Sequence, residues 1–457
     1  MRLNTILDAM ILAHLFEAEF GFEWSADDAP STDGQPIPDV HGVFERTFVA
    51  QHLQARVPDR SSLVRLTAPT GSRRDFEHLL ASARDRGIFD VDQPRNLRHM
   101  LPFLKDRFGS DNYRSTFEKL GFIDPIRRAI ALARAMDVAS DAVALHVRGG
   151  DIVHGTHAHH GAYLAKAPSI FELERQLEAS LSEQRQVWLV GQEADLIDNL
   201  ARRYPGVRTL LDHAPVRALG GTERVIFDAL LMSRMSTIHG GNSGVTMLAR
   251  RVGGAAFANL SDLGADVDTR VLLDDPLAGA TYDGISNDMK AHSYLKPLLR
   301  VDPASWHADH LQLLRLAQSW RPGSRFLEVL RICLSFHLGR CTEAEALCRS
   351  FLRHASSPQP GLEVDYAFLL GGRQHCPSRE LARLSAADGM RHPACWLLYK
   401  VGEAVTSGAY PDATGAARAI EAFKRGAGDD AIGAAMVQVL GRCLADHDDS
   451  PGSVLAT

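Results

Sequence analysis

Apolar residues recur at helical spacing from the start of the chain. Leu3, Ile6, Leu7, Met10, Ile11 and Leu15 share one face, which predicts an opening amphipathic helix. FGFEW, Phe20 to Trp24, reads as a strand after it, and the proline-bearing SADDAPSTDGQPIPDVHG as a surface loop. SSLVRLTAPTG holds a further short strand. From Arg73 to Met136 the pattern is mostly helical, clearest in YRSTFEKLGF and DPIRRAIALARAM.

From Asp141 the period changes to alternating strand and helix. Val143–Val147 is a strand, and a helix from about Ser169 to Leu181 follows, with Ser169 and Glu172 at capping-box spacing. Next come strand QVWLV, helix ADLIDNLARRY, strand VRTLL, helix ERVIFDALLMS and the short strand STIHG. Helix GVTMLARRV and strand AAFANL close the run. Strands separated by helices of this length predict crossover units and a parallel sheet, which binds ligands at its strands' carboxyl ends. DPLAGATYDGISNDMKAHS reads as a turn-rich linker. Beyond about Lys296 the pattern is helical only, in pairs that suggest a degenerate tetratricopeptide-like array or a plain bundle.

Composition narrows the function classes. The 457 residues carry a net charge of −6, so there is no global basic field to attract nucleic acid, and any anion site must be local. Asp8, His14, Glu17 and Glu19 interrupt the apolar N-terminus, and no run reaches the roughly 18 apolar residues of a membrane span. The six cysteines all lie in the last third without a CxxC pair, which fits free thiols in a reducing compartment and a cytoplasmic address.

Candidate chemistry gathers at two predicted strand ends. Arg148 ends the 143–147 strand and is followed by Gly149, Gly150 and Asp151. A guanidinium there can grip a diphosphate bidentately while glycines admit phosphate to the backbone; pairing with Asp151 is the alternative. HGGNSG, His239 to Gly244, repeats the arrangement, with Gly240, Gly241, Asn242 and Ser243 between a strand and a helix. That turn either receives an anion at the helix N-terminus or simply caps the helix through Asn242 or Ser243. Trp188 reads as core. Asp39 and His41 are weaker candidates, and Glu223 and Arg224 read as a helix cap and a solvated charge.

In this order, about 90 residues apart, the two stretches resemble the fucosyltransferase superfamily of GT-B glycosyltransferases. The family's strand ends His-Val-Arg-Arg-Gly/Thr-Asp; here it stands as His146-Val147-Arg148-Gly149-Gly150-Asp151, with Gly149 in place of the second arginine. FDALLMSRMSTIHGGNSGVTMLA is similar to its later element, Asp228 and Ser243 matching nucleotide-contacting residues. RLNTILDAMILAHLFEAEFGFEW resembles the family's opening helix and strand. Gln192 and Glu193 depart from the family's Asp pair.

The resemblance implies an α/β fold of GT-B type with two Rossmann-like halves, residues 1–138 on the acceptor side and 139–290 binding the nucleotide sugar. An all-α region, 296–457, follows them. It implies an inverting, metal-independent transfer, with no cofactor beyond a nucleoside-diphosphate sugar, GDP-fucose by analogy, and a glycan or protein acceptor. Arg148 would stabilise the leaving diphosphate. His146, Arg148, Gly150, Asp151, Asp228, Gly240, Gly241, Asn242 and Ser243 would bind the donor. The general base is sought among His154, His157, His159 and His160, with His154 and His157 put forward beside Arg148 as catalytic. A second reading is a catalytically degenerate module whose helical region binds a protein partner.

Overall fold

The computed structural model describes residues 2–24, 38–53, 64–65, 70–84, 89–90, 101–154, 166–263, 270–355, 381–387, 391–392, 394–396 and 398–399. It is a mixed α/β protein, mostly helical, with a parallel sheet. The chain forms two compact units. One comprises residues 1–148 and 172–262, the other 149–171 and 263–457.

The sheet of the first unit has four parallel strands: β3 (Val143–Val147), β4 (Val187–Gly191), β5 (Thr237–Gly240) and β6 (Ala256–Asn259), in the order β4-β3-β5-β6. Every side chain of β3 is buried, as expected for a strand covered on both faces. Each fully buried valine or leucine there contributes about 2 kcal/mol of apolar transfer. The helices Asp124–Ala135, Gly221–Met232 and Gly244–Gly253 pack on the Ala144 side, where Ala144, Trp188, Ile226, Phe227, Ile238 and Leu248 join one apolar cluster. Trp188 is core, as its strand position suggested, and its Nε1 donates to Gln186 at 2.9 Å.

The opening helix spans Arg2–Leu15. Two further parallel strands, β1 (Val64–Arg65) and β2 (Phe89–Asp90), pair in this unit. FGFEW is not a strand: Phe22 makes one bridge, to Leu53, and the rings of Phe20, Phe22 and Trp24 pack into an aromatic cluster with Phe44 and Phe48. YRSTFEKLGF is helical only to Phe117, in a helix that starts at Ser110. Past that helix the chain turns through Gly121, where a Cβ would lie 2.6 Å from that of Phe48. VRTLL is reduced to a bridge between Arg208 and Trp188. Gly206 at φ +98° precedes that bridge, and Pro215 opens the short helix Ala214–Arg217 after it, so little chain remains to extend.

In the second unit the predicted linker is helical in its second half. Ser286 caps the helix Asn287–Arg300 by accepting from Met289 N at 3.2 Å, and Met289, Tyr294, Leu295 and Leu298 are buried. Helices Ala308–Trp320, Arg325–His337 and Cys341–Ala355 follow as the apolar spacing predicts, each packing on its predecessor. Within SRELARLSAADGM the described residues form a 3₁₀ turn, Ala382–Ala386, rather than an α-helix. ATGAARAIEAFKRG and AIGAAMVQVLGRCLAD lie outside the described residues. Cys341, Cys348 and Cys395 are free thiols; burial, and then the neighbouring Cys395, push the Cys348 thiol up. Among the described residues no helix is long and apolar enough to cross a membrane.

Candidate functional site

The strand order fixes where a ligand crevice forms in the first unit. The chain leaves β3 for β4 on one side and returns to β5 on the other, so β3 and β5 flank the topological switch point. In sheets wound this way ligands bind at that point, at the carboxyl ends of the two strands. Arg148, half-buried, is the residue after β3, and Gly241-Asn242-Ser243 follow β5. Two of the predicted elements thus meet on neighbouring strands.

Glycines draw these strand ends together. A Cβ on Gly240 would stand 3.0 Å from the Cβ of His146, so this glycine serves the close approach of β5 to β3. Gly191, ending β4 at φ +154°, would place a Cβ 2.0 Å from Val147 O, and Gln192 N donates to the same carbonyl at 3.3 Å. No side chain fits at that position.

Ser243 caps the helix Gly244–Gly253. Its Oγ accepts from Thr246 N at 3.2 Å, and its own N–H donates to Thr246 Oγ1 at 3.0 Å. The Thr246 hydroxyl donates to Gly241 O at 3.0 Å, which locks the turn. Ser243 is buried and Asn242 exposed, so of the two capping candidates the serine does the work and the asparagine side chain faces solvent. The dipole of this ten-residue helix favours an anion at the turn.

The predicted third element, the N-terminal helix, is tied to the same turn. Asn4 Nδ2 donates to Gly244 O at 2.9 Å, and Arg251 Nη1 donates to Asn4 O at 3.1 Å. Arg251 also pairs with buried Asp8 at 3.0 Å, whose other oxygen accepts from Tyr113 OH at 2.7 Å. Burial pushes the Asp8 carboxyl up to about 6, against the pull of Arg251 and Tyr113.

Asp228 is buried on the helix Gly221–Met232, with Arg224 Nε 2.8 Å from its Oδ1. Burial raises its carboxyl to about 6, although Arg224 opposes the shift. Arg224 is therefore not a solvated charge: one helical turn from Asp228, it is that carboxylate's counter-ion. Glu223 does cap, accepting from Gly220 N. His146 is held down to about 3 by burial and then by the Arg148 charge, so it is neutral at pH 7. Its Nδ1 has no hydrogen-bond partner among the described residues. His239, on the opposite face of the sheet, is held down to about 4 by burial and then by Arg185. Asp39 does no more than cap a 3₁₀ turn, accepting from His41 N at 2.8 Å.

The second unit opens with the helical turn Gly150–Val153, which contains Asp151 and places Gly150 at φ +48°. His154 ends it. Its Nδ1 lies 3.3 Å from Asp288 Oδ2, and Asp288 Oδ1 lies 3.3 Å from Arg321 Nε. Arg321 in turn donates from Nη1 to Val153 O at 2.8 Å. His292 Nε2 donates to Ala167 O at 3.1 Å, and burial holds this imidazole down to about 3. Asp288 and Arg321 were not singled out by the sequence. They stand 134 and 167 residues beyond His154, and no local spacing connects them. His157, His159 and His160 lie outside the described residues. Among the described residues no group of three His, Cys, Asp or Glu side chains is placed to hold a metal ion.

Among solved structures, the chain is similar to POFUT1 in complex with GDP, at 12% identity over 56% of this chain and 94% of that one, with a TM-score of 0.28. A crystal structure of POFUT1 in complex with GDP-fucose matches at 12% identity over the same shares, with a TM-score of 0.30. No protein-family model and no curated protein sequence matches the chain.

Proposed function

We propose that the protein is a glycosyltransferase of the fucosyltransferase-like GT-B type, moving a sugar from a nucleoside-diphosphate donor, GDP-fucose, to a glycan or protein acceptor. One observation carries the reading: Arg148 follows β3, and the capped turn Gly241-Asn242-Ser243 follows β5, the two strands that flank the switch point. An arginine and a helix N-terminus at the ends of neighbouring strands suit a diphosphate, whose charge grows as it departs. In this reading His146, neutral and with an unpaired Nδ1, offers a hydrogen bond to the donor. Gly240 keeps β5 close to β3, and Asp228, Gly150, Gly241 and Asn242 are read as further donor contacts.

The reaction is a single inverting displacement without a metal ion. The acceptor oxygen forms its bond to the anomeric carbon as the bond to the diphosphate breaks, and Arg148 stabilises the charge on the departing oxygen. The helical segment 296–457 is read as a tetratricopeptide-like scaffold that selects the acceptor or a protein partner. The address is the cytoplasm, where Cys341, Cys348 and Cys395 persist as thiols.

The test is thermal shift with GDP, UDP and ADP at millimolar concentration on the wild type and Arg148→Ala. GDP raises the wild-type melting temperature and leaves that of Arg148→Ala unchanged. A wild type that no nucleotide stabilises refutes the proposal.

A further inference from the structure

We infer that Asn4 is a positioning residue for the turn Gly241-Asn242-Ser243 as a diphosphate site, acting through the carbonyl of Gly244, and that Arg251 and Asp8 hold Asn4 for that task; the inference rests on the transferase reading above. All of these residues lie in the first unit.

The turn fixes its own shape. Thr246 ties Ser243 and Gly241 together through bonds of 3.0 to 3.2 Å. Those bonds are local, and they do not decide how the helix N-terminus is aimed. Asn4 acts on it from a distant part of the sequence. Its Oδ1 lies 3.3 Å from Arg251 Nη1, and a guanidinium only donates, so the amide nitrogen faces the Gly244 carbonyl and donates to it at 2.9 Å. Gly244 opens the helix Gly244–Gly253 and Arg251 stands in its last turn, so one carboxamide holds that helix near both ends.

Arg251 is itself held on three sides. Its Nη1 donates to Asn4 O at 3.1 Å, its Nη2 lies 3.0 Å from Asp8 Oδ2, and its guanidinium carbon sits 4.9 Å from the centre of the Tyr113 ring. Tyr113 OH closes the ring of contacts by donating to Asp8 Oδ1 at 2.7 Å. Asn4 and Asp8 are four residues apart on the opening helix, hence on one face, and they are 1% and 0% exposed. Burying a carboxylate, a guanidinium and an amide together is costly, and apolar side chains of similar volume are commonly as stable or more so. Stability therefore does not account for the network. A helix N-terminus held in place does, because N–H groups stabilise a growing charge when they are aimed at it beforehand.

The experiment is GDP titration calorimetry and urea unfolding of the full chain as wild type, Asn4→Leu, Arg251→Lys and the two combined. Leucine keeps about the volume of Asn4 without its donor. Asn4→Leu binds GDP about 10-fold more weakly, the scale of one lost hydrogen bond, while unfolding at no lower a urea concentration than wild type. Arg251→Lys keeps the counter-charge of Asp8 but loses the fork that reaches Asn4, and binds GDP about 3-fold more weakly. The combined variant binds no more weakly than Asn4→Leu, because Arg251 acts through Asn4. A merely structural role would lower the urea midpoint and leave the GDP affinity of the folded protein unmoved. Wild-type GDP affinity in Asn4→Leu, or in Arg251→Lys should Asn4→Leu not fold, overturns the inference and leaves the transferase reading standing. A wild type that does not bind GDP overturns both.

Discussion

Gly240 sits where a Cβ would stand 3.0 Å from the Cβ of His146, so the last residue of β5 lies against the strand that carries Arg148. Gly240→Ala forces a few tenths of an ångström between β5 and β3. The expected cost is about 1–2 kcal/mol of stability together with weaker GDP binding. Urea unfolding and nucleotide titration of the same variant check both, and unaltered GDP affinity would detach the β3–β5 approach from the site.

Gly191 is the harsher case. Its φ of +154° and the 2.0 Å approach of a would-be Cβ to Val147 O leave no room for a side chain. Gly191→Ala should cost about 3 kcal/mol or more, through strain and displacement of the β3 terminus. Gly206, at φ +98° with open space around it, is the control: alanine there costs about 1 kcal/mol, from backbone strain alone.

Ser243→Ala removes the oxygen that accepts from Thr246 N, with a loss of about 1 kcal/mol. Ser243→Gly should cost less, since glycine also serves as a helix cap. If the two variants unfold at the same denaturant concentration as wild type, the cap contributes nothing.

Arg224→Met strands Asp228 as a buried carboxylate without its cation, at a cost of about 3 kcal/mol. Adding Asp228→Asn recovers part of that loss. Non-additivity in this double-mutant cycle is the measurable sign of the pair.

Acid acts on the first unit with two opposing signs. His146 and His239, held down to about 3 and about 4, refuse protons that the unfolded chain accepts below pH 6.5, so their contribution is lost as pH falls. Asp8 and Asp228, raised to about 6, keep protons that the unfolded chain releases above 3.8, so theirs is gained as pH falls through 6. Between pH 6 and 4 the two pairs offset one another. Asp228→Asn removes one compensating group, and stability then falls more steeply with acid, by up to about 1.4 kcal/mol per pH unit. Hydrogen exchange of the β3 amides at pH 4, 5 and 6 reads the slope, and a course parallel to wild type contradicts the assignment.

Periodic segments were the legible part of the fold. β3 and the helices 124–135, 244–253 and 325–337 lie where the apolar spacing puts them, because burial on a fixed face decides them. FGFEW failed because its alternating aromatics read like a strand but pack ring against ring, a tertiary preference that spacing does not encode. The linker failed because Ser286 starts a helix among turn residues, and that helix is stabilised by contacts with distant parts of its unit, such as Ser293 with Ile170. At the candidate site, Arg148 and Ser243 could be read from strand ends. In the second unit, the pairing of His154 with Asp288 and of Asp288 with Arg321 could not, since only folding brings these residues together.

The contact between Asn4 and Gly244 spans 240 residues of sequence. During synthesis the opening helix therefore emerges long before Gly244 and Arg251 exist to receive its buried asparagine and aspartate. At translation rates of about 5–20 residues per second, that wait lasts roughly 10–50 s. Until it ends, Asp8 can meet Tyr113 but not Arg251, and Asn4 has no Gly244 carbonyl to receive it, so the polar side of this helix is completed last.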